Sequence, residues 1–240
     1  ISQSATHTRK GGPTLISFTR LPCFPSRVFS FWFFSWFSYP FFVGERRAFE
    51  SPNLKSALEQ PRIVVSKLNK ERDAARIMGP FHGPRFPNFH CSPPGIVSKK
   101  DPSEFCLIHH LSYPPGSSVN DFIPEHCSSV HYASINDAVF VIKRMGAGCF
   151  KAKTDVKSAF RIIPIHPNDF ALLGMKWQDS YYFDRSLPIG SSSSCAIFEA
   201  FSTALQCLAM TRLGASGVLH ILDDFLFTAD NRARCHAEFS

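Results

Sequence analysis

The chain has 240 residues, 44% of them hydrophobic and 19% charged, which allows one sizeable core, or a core plus a small subdomain, and excludes global disorder. Lysine and arginine outnumber aspartate and glutamate by 26 to 19, giving a net charge of +7 and a pI near 9.1, a balance that suits a polyanion such as nucleic acid or an anionic membrane face. The eight cysteines are scattered with no C-x-x-C pair, which argues against a disulfide scaffold and for reduced thiols in the cytoplasm or nucleus, not a secreted protein.

Residues 1–51 read as a disordered or non-native extension. The first 27 or so are polar, basic and punctuated by Gly and Pro. The aromatic-rich run 28–43 is the one membrane candidate. It falls short of the ~20 residues a spanning helix needs. Pro40 and three serines also interrupt it, so a membrane partner is not expected. There is no cationic start followed by an apolar run and a small-residue cleavage site. The opening Ile1 and the charged run before Ser240 read as a fragment or a decayed reading frame.

Residues 54–78 are expected to be partly helical. Leu54, Ala57 and Leu58 recur at helical spacing before Pro61, and Ile63, Val64, Leu68 and Ala75 continue the pattern less cleanly. Residues 79–128 are dense in Pro and His and predict loops and short strands. A better helix follows over 134–145. Ser134 and Asp137 resemble a capping box. Ile135, Ala138, Val139 and Ile142 form its apolar stripe, and Gly146 and Gly148 end it.

From Cys149 the pattern turns to strands. Residues 149–155 alternate loosely and end on Asp155. Residues 171–177 and 180–183 flank Gln178-Asp179 as a hairpin. Leu187 to Gly190 and four serines make a loop, and Ser194 is placed to cap a helix with a core face of Ile197, Phe201, Leu205 and Leu208. Residues 218–222 and 225–227 are two apolar strands with Asp223-Asp224 at the bend. The order predicts an antiparallel sheet with helices on one face, an α+β fold.

Asp223 and Asp224 are adjacent carboxylates at a tight turn between apolar strands. Like charges about 4 Å apart repel by about 4 kcal/mol at an effective dielectric near 20, unless a cation neutralises them. Hard oxygen ligands suit Mg²⁺. Aspartate is also common in ordinary turns. Asp155 ends its own strand and is free to lie beside that turn. Three converging carboxylates can hold two ions about 3.5–4 Å apart and serve phosphoryl transfer. The alternative is two unrelated surface acids.

At this point the residues resemble a known family. Lys153-Thr-Asp155-Val-Lys-Ser-Ala-Phe160-Arg-Ile-Ile-Pro-Ile is similar to the first palm motif of reverse transcriptases. Leu187-Pro-Ile-Gly190, with Ala196-Ile-Phe198-Glu, is similar to the second, and Ile221-Leu-Asp223-Asp224-Phe-Leu-Phe to the third. Upstream, Arg76 to Phe81, Ser92 to Asp101 and Leu107 to Asn120 resemble the fingers, with wording closest to the DIRS group of retrotransposons. The resemblance runs from about Pro52 to Phe227.

It implies a polymerase palm over 129–240, truncated and without a thumb, and fingers over 52–128. It implies RNA-directed DNA polymerisation with two Mg²⁺ ions, or Mn²⁺ in their place, held by Asp155, Asp223 and Asp224. The implied partners are an RNA or DNA template with its primer, and deoxynucleotides; no organic cofactor is implied. Phe160 matches the steric gate against a ribose 2′-OH, and is otherwise a core Phe. Val156 would present its backbone N–H near the triphosphate. Gly190 would let the backbone approach nucleotide and template. Lys100, or its neighbour Lys99, matches the lysine that contacts the triphosphate, and is otherwise a solvated turn. Lys153, Lys157 and Arg161, with Lys151, bring positive charge for template or primer phosphates; the plainer reading is a solvated strand edge.

Some positions depart from the pattern. Ile221 stands where the family usually has an aromatic residue, and His110 where it has Asp. Cys106 stands at the usual Arg that pairs with the triphosphate. A charge-assisted hydrogen bond is worth roughly 1.5–3 kcal/mol, so its loss costs about 10- to 100-fold in nucleotide use. A catalytically decayed nucleic-acid-binding remnant is therefore the second reading. A zinc site among His90, Cys91, Cys106, His109, His110, His126, Cys127 and His131 is not expected, because their spacings match no common finger. Ser191 to Ser194 have no ordered Ser-His-Asp arrangement around them.

Overall fold

The computed structural model describes residues 42–101 and 103–239; the expectations for the first 41 residues lie outside them. In chain order the elements are β1 (Phe49–Glu50), α1 (Lys55–Leu58), α2 (Pro61–Asp73), β2 (Ile77–Phe81), β3 (His90–Cys91), β4 (Pro94–Ser98) and β5 (Phe105–His109). They continue with α3 (Ile135–Met145), β6 (Phe150–Asp155), β7 (Gly174–Trp177), β8 (Ser180–Asp184), α4 (Ser194–Arg212), β9 (Gly217–Ile221), β10 (Asp224–Ala229) and α5 (Arg232–Phe239). The class is α+β. By contact the described chain forms two interleaved units, 42–130 with 157–200, and 131–156 with 201–239.

In the first unit, α2 opens on Pro61, whose missing N–H costs nothing at a first turn. Val64 and Leu68, four residues apart, are buried with Ala57 of α1 against Ile77, Ile96, Met175 and Trp177. The β7–β8 hairpin forms as expected. Its loop is Gln178-Asp179, and Gln178 takes a φ of +52°, the twist a two-residue hairpin loop requires. Its wider pairing differs from the expected single antiparallel sheet. The hairpin joins a five-stranded sheet of order β1-β3-β7-β8-β2, in which β3 runs parallel to both β1 and β7. Alternation within a strand says which side chains share a face, not which distant strand supplies the partner. β4 and β5 form a separate antiparallel pair.

In the second unit, α3 begins with the expected capping box. The Ser134 hydroxyl accepts the Asp137 N–H, and the Asp137 carboxylate accepts the Ser134 N–H at 2.8 Å. The expected stripe is corrected: Ile135 is 82% exposed and Val139 is also exposed, whereas Asp137 and Val141 are buried. Asp137 faces inward with its Oδ2 held by the cap, while its Oδ1 is buried without a hydrogen-bond partner. Gly146 ends the helix at φ +91°.

β6, β10 and β9 form an antiparallel sheet in that order. Its register pairs Ala152 with Phe227, and Phe227 with Val218. Val218, Phe225 and Phe227 pack with Ala209 and Leu205 of α4.

The buried face of α4 is Phe198, Ser202, Gln206 and Ala209, with Ile197; the expected Phe201, Leu205 and Leu208 are only half-buried. The stripe was misplaced because two inward positions are polar. Gln206 is tolerated there because its Nε2 donates to the Val218 carbonyl at 3.0 Å while its Oε1 meets His220 Nδ1. Ser194 does not cap α4; its hydroxyl donates to the Pro188 carbonyl at 2.8 Å. Among the described helices α4 alone is long and apolar enough to cross a membrane, a test of length and composition that the core helix of a soluble protein also passes. The unexpected α5 is capped by Asn231, whose side-chain oxygen accepts the Arg234 N–H at 2.8 Å.

Candidate active site

The three aspartates lie at one end of the β6-β10-β9 sheet. Asp155, the last residue of β6, lies directly opposite Asp224, the first of β10, and Asp224 is in turn paired with Ile221 of β9. Leu222 and Asp223 form the two-residue turn between those strands. Leu222 has φ +52°, where such a turn usually places Gly. A side chain held there stores about 1–3 kcal/mol of strain. The Val156 N–H donates to the Asp223 carbonyl at 2.9 Å and ties the end of β6 to the turn. That donor, expected near a triphosphate, is thus spent within the site.

Burial holds the Asp223 carboxyl above the usual aspartate range. The charges of Asp155 and Asp224 and a hydrogen bond with the Asp155 carboxyl add to this, against the opposing pull of Asp223's own backbone. Such a group is eased by a cation. The donor set, three hard carboxylates, suits Mg²⁺ or Mn²⁺. A cation from the chain already stands there: Lys153 Nζ is 3.1 Å from Asp224 Oδ1. Among the described residues no three His, Cys, Asp or Glu side chains converge as a ready metal cage.

Lys100, Phe160 and Gly190 belong to the other unit. Lys99 is paired with Glu104 at 2.9 Å, whereas Lys100 is exposed with no partner among the described residues, which favours Lys100 as the available cation. Phe160 is half-buried, edge-on to the fully buried Phe198 at 5.3 Å between ring centres. Gly190 has φ +133°, and a Cβ there would come within 2.0 Å of the His109 carbonyl oxygen. The close approach that requires glycine is therefore to the chain's own β5. Gly190→Ala is expected to cost about 1–3 kcal/mol, read as a lower urea midpoint, with the 187–193 loop becoming protease-sensitive.

Arg161, expected to contact nucleic acid, is corrected. Its side chain is 10% exposed and committed inside the fold. Nη2 bonds Asp184 at 2.6 Å, Nε bonds Glu71 at 3.0 Å, and Nη1 donates to the carbonyls of Ser186 and Leu187 at 3.2 Å. Lys157 is exposed with no partner among the described residues, and Lys151 likewise. Cys106 lies in β5, its thiol 3.6 Å from the Leu107 carbonyl.

Sequence reasoning missed Asn120. Its Nδ2 donates to the Gly190 carbonyl at 2.9 Å and to Ser112 Oγ at 2.8 Å, and its Oδ1 accepts the Ser192 N–H at 3.0 Å. It clamps both sides of the Gly190 loop. It also missed His109, which is buried with Nδ1 3.0 Å from Asp184 Oδ2 and Nε2 3.0 Å from the Gly174 carbonyl. The Gly/Ser-rich loop itself was the only signal that a side-chain clamp was needed.

No family model and no curated protein sequence matches the chain. Solved structures do. The native protease–reverse transcriptase of prototype foamy virus aligns with a TM-score of 0.54 at 19% identity, over 83% of this chain and 24% of that one. A foamy viral protease–reverse transcriptase in complex with double-stranded DNA aligns with a TM-score of 0.56 at 16% identity, over 82% of this chain and 31% of that one. A further complex with double-stranded DNA gives 0.53 at 16%, over 82% and 37%. The chain thus has a reverse-transcriptase-like fold, and spans from a quarter to somewhat over a third of those chains.

Proposed function

We propose that the chain is the polymerase part of a retrotransposon reverse transcriptase, closest to the DIRS group, which extends a primer on RNA or DNA with deoxynucleotides. One observation carries this reading: in a reverse-transcriptase-like fold, Asp155 stands in register with Asp224 beside the Asp223 turn. Fingers over 52–128 and a palm over 129–240 remain the assignment of parts.

Asp155, Asp223 and Asp224 would hold two Mg²⁺ ions, which supply activation of the primer 3′-OH and neutralisation of the departing pyrophosphate. The protein's own residues do the rest. Lys100 offers an unpaired ammonium to the triphosphate. The Phe160 ring, braced by Phe198, selects against a 2′-OH. Lys153 and Lys157 face phosphates. The reaction places the chain where nucleic acid is, in cytoplasm or nucleus. Primer extension on an RNA template with Mg²⁺ and deoxynucleotides tests the reading, with a carboxylate variant as control.

The second reading, a nucleic-acid-binding remnant without turnover, is favoured by Cys106, a neutral side chain at the usual Arg position. Cys106→Arg is expected to raise nucleotide use about 10-fold or more, chiefly by lowering KM. Steady-state kinetics at varied nucleotide concentration would show it. Primer–template binding without incorporation, in both forms, would favour the remnant.

A further inference from the structure

Strand alternation puts Lys151, Lys153 and Asp155 on one face of β6, and the register brings Asp224 to that same face of β10. The partner of Asp224 there is Lys153, at 3.1 Å. Lys151 has the same charge on the same face, two residues further from Asp155, and contacts no carboxylate among the described residues. Asp155 stands opposite Asp224 across the strand pair, while the Asp224 carboxylate is engaged by the lysine. No three acidic side chains among the described residues form a ready cage.

We propose that Lys153 is a resident counter-ion for the carboxylate cluster, which a divalent cation must displace from Asp224 in order to bind all three aspartates. This rests on the carboxylates being the metal site. Lys153 then acts as a positioning residue that sets metal affinity. It holds Asp224 before the metal arrives and swings free afterwards, its ammonium released toward an incoming phosphate. The displaced contact is an exposed ion pair, of a kind worth up to about 1 kcal/mol, so removing it should tighten metal binding by about 2- to 5-fold.

The test is Mn²⁺ binding to the full chain, with free Mn²⁺ read by electron paramagnetic resonance and no nucleotide or primer present. Five proteins are compared: wild type, Lys153→Gln, Lys153→Arg, Lys151→Gln and Asp223→Asn. Each variant removes or keeps one charge, and Lys151→Gln reports the general effect of charge without the contact. The expected result is that Lys153→Gln binds Mn²⁺ about 2- to 5-fold more tightly than Lys151→Gln does, and that Lys153→Arg binds no more tightly than wild type. Equal affinities for Lys153→Gln and Lys151→Gln would overturn the counter-ion role while leaving the metal site intact. Wild-type binding that is absent, or unchanged in Asp223→Asn, would overturn the metal site and the counter-ion role with it.

Discussion

Asp223→Asn is expected to reduce primer extension by on the order of 10²–10³-fold or more while making the apo protein slightly more stable at neutral pH. The loss follows because the amide keeps the shape but cannot neutralise a divalent cation. The gain follows from the sign of the carboxyl's shift. Asp223 is held above the usual aspartate value of 3.8, so the native state binds that proton more tightly than the unfolded chain does. Its contribution is most favourable below that value and is lost as the pH rises through the raised one. At pH 7 the charged form is a liability that asparagine removes. The side chain is partly exposed, so solvent screening limits the gain to about 0.5 kcal/mol, or about 1–2 °C in Tm. Thermal melts at pH 7 and near pH 3.5 check this: the gain should be present at the first and gone at the second. Added Mn²⁺ should raise the wild-type Tm and leave Asp223→Asn unmoved.

The largest stability effect is expected at Arg161. Arg161→Met leaves Asp184, whose side chain is 4% exposed, without its main counter-charge, and leaves Glu71 with Arg76 alone. Breaking one side of a buried pair typically costs about 3–5 kcal/mol, which corresponds to roughly 6–20 °C in Tm. The backbone would suffer too, since Arg161 also holds the carbonyls of Ser186 and Leu187 at the entry to the Gly190 loop. Burial opposes charge on Asp184, but Arg161 and His109 outweigh it and hold its carboxyl below the usual value of 3.8. A depressed carboxyl stabilises the fold fully above that value and loses its contribution as pH falls through the depressed one. The deficit of Arg161→Met should therefore be full at pH 7 and shrink below about pH 3.5. Urea midpoints across that range measure it. Arg161→Met combined with Asp184→Leu should recover part of the loss, because the uncompensated charge goes with its partner.

By itself the sequence determined many of the local elements and singled out the acids proposed to carry the chemistry. Pro61 sits where a first turn tolerates it, Ser134 and Asp137 cap a helix, and the Gln178-Asp179 turn closes a hairpin, while the bend expected at Asp223-Asp224 falls one residue earlier, at Leu222-Asp223. Each is set by backbone preferences acting within a few residues. Asp155 and Asp223-Asp224 stood out because acids at the ends of apolar strands are costly without a purpose.

Only the tertiary structure decided which strands pair and which polar groups are buried. The β7–β8 hairpin joins β2 and β3 instead of the sheet that carries the aspartates. Gln206 faces inward because His220 and the Val218 carbonyl receive it. Arg161 read as a surface cation because a sequence displays a charge but not its counter-charges, which Glu71 and Asp184 bring from 90 and 23 residues away. Burying an ion is unfavourable until those partners surround it, so its role is settled only when the chain has closed around it.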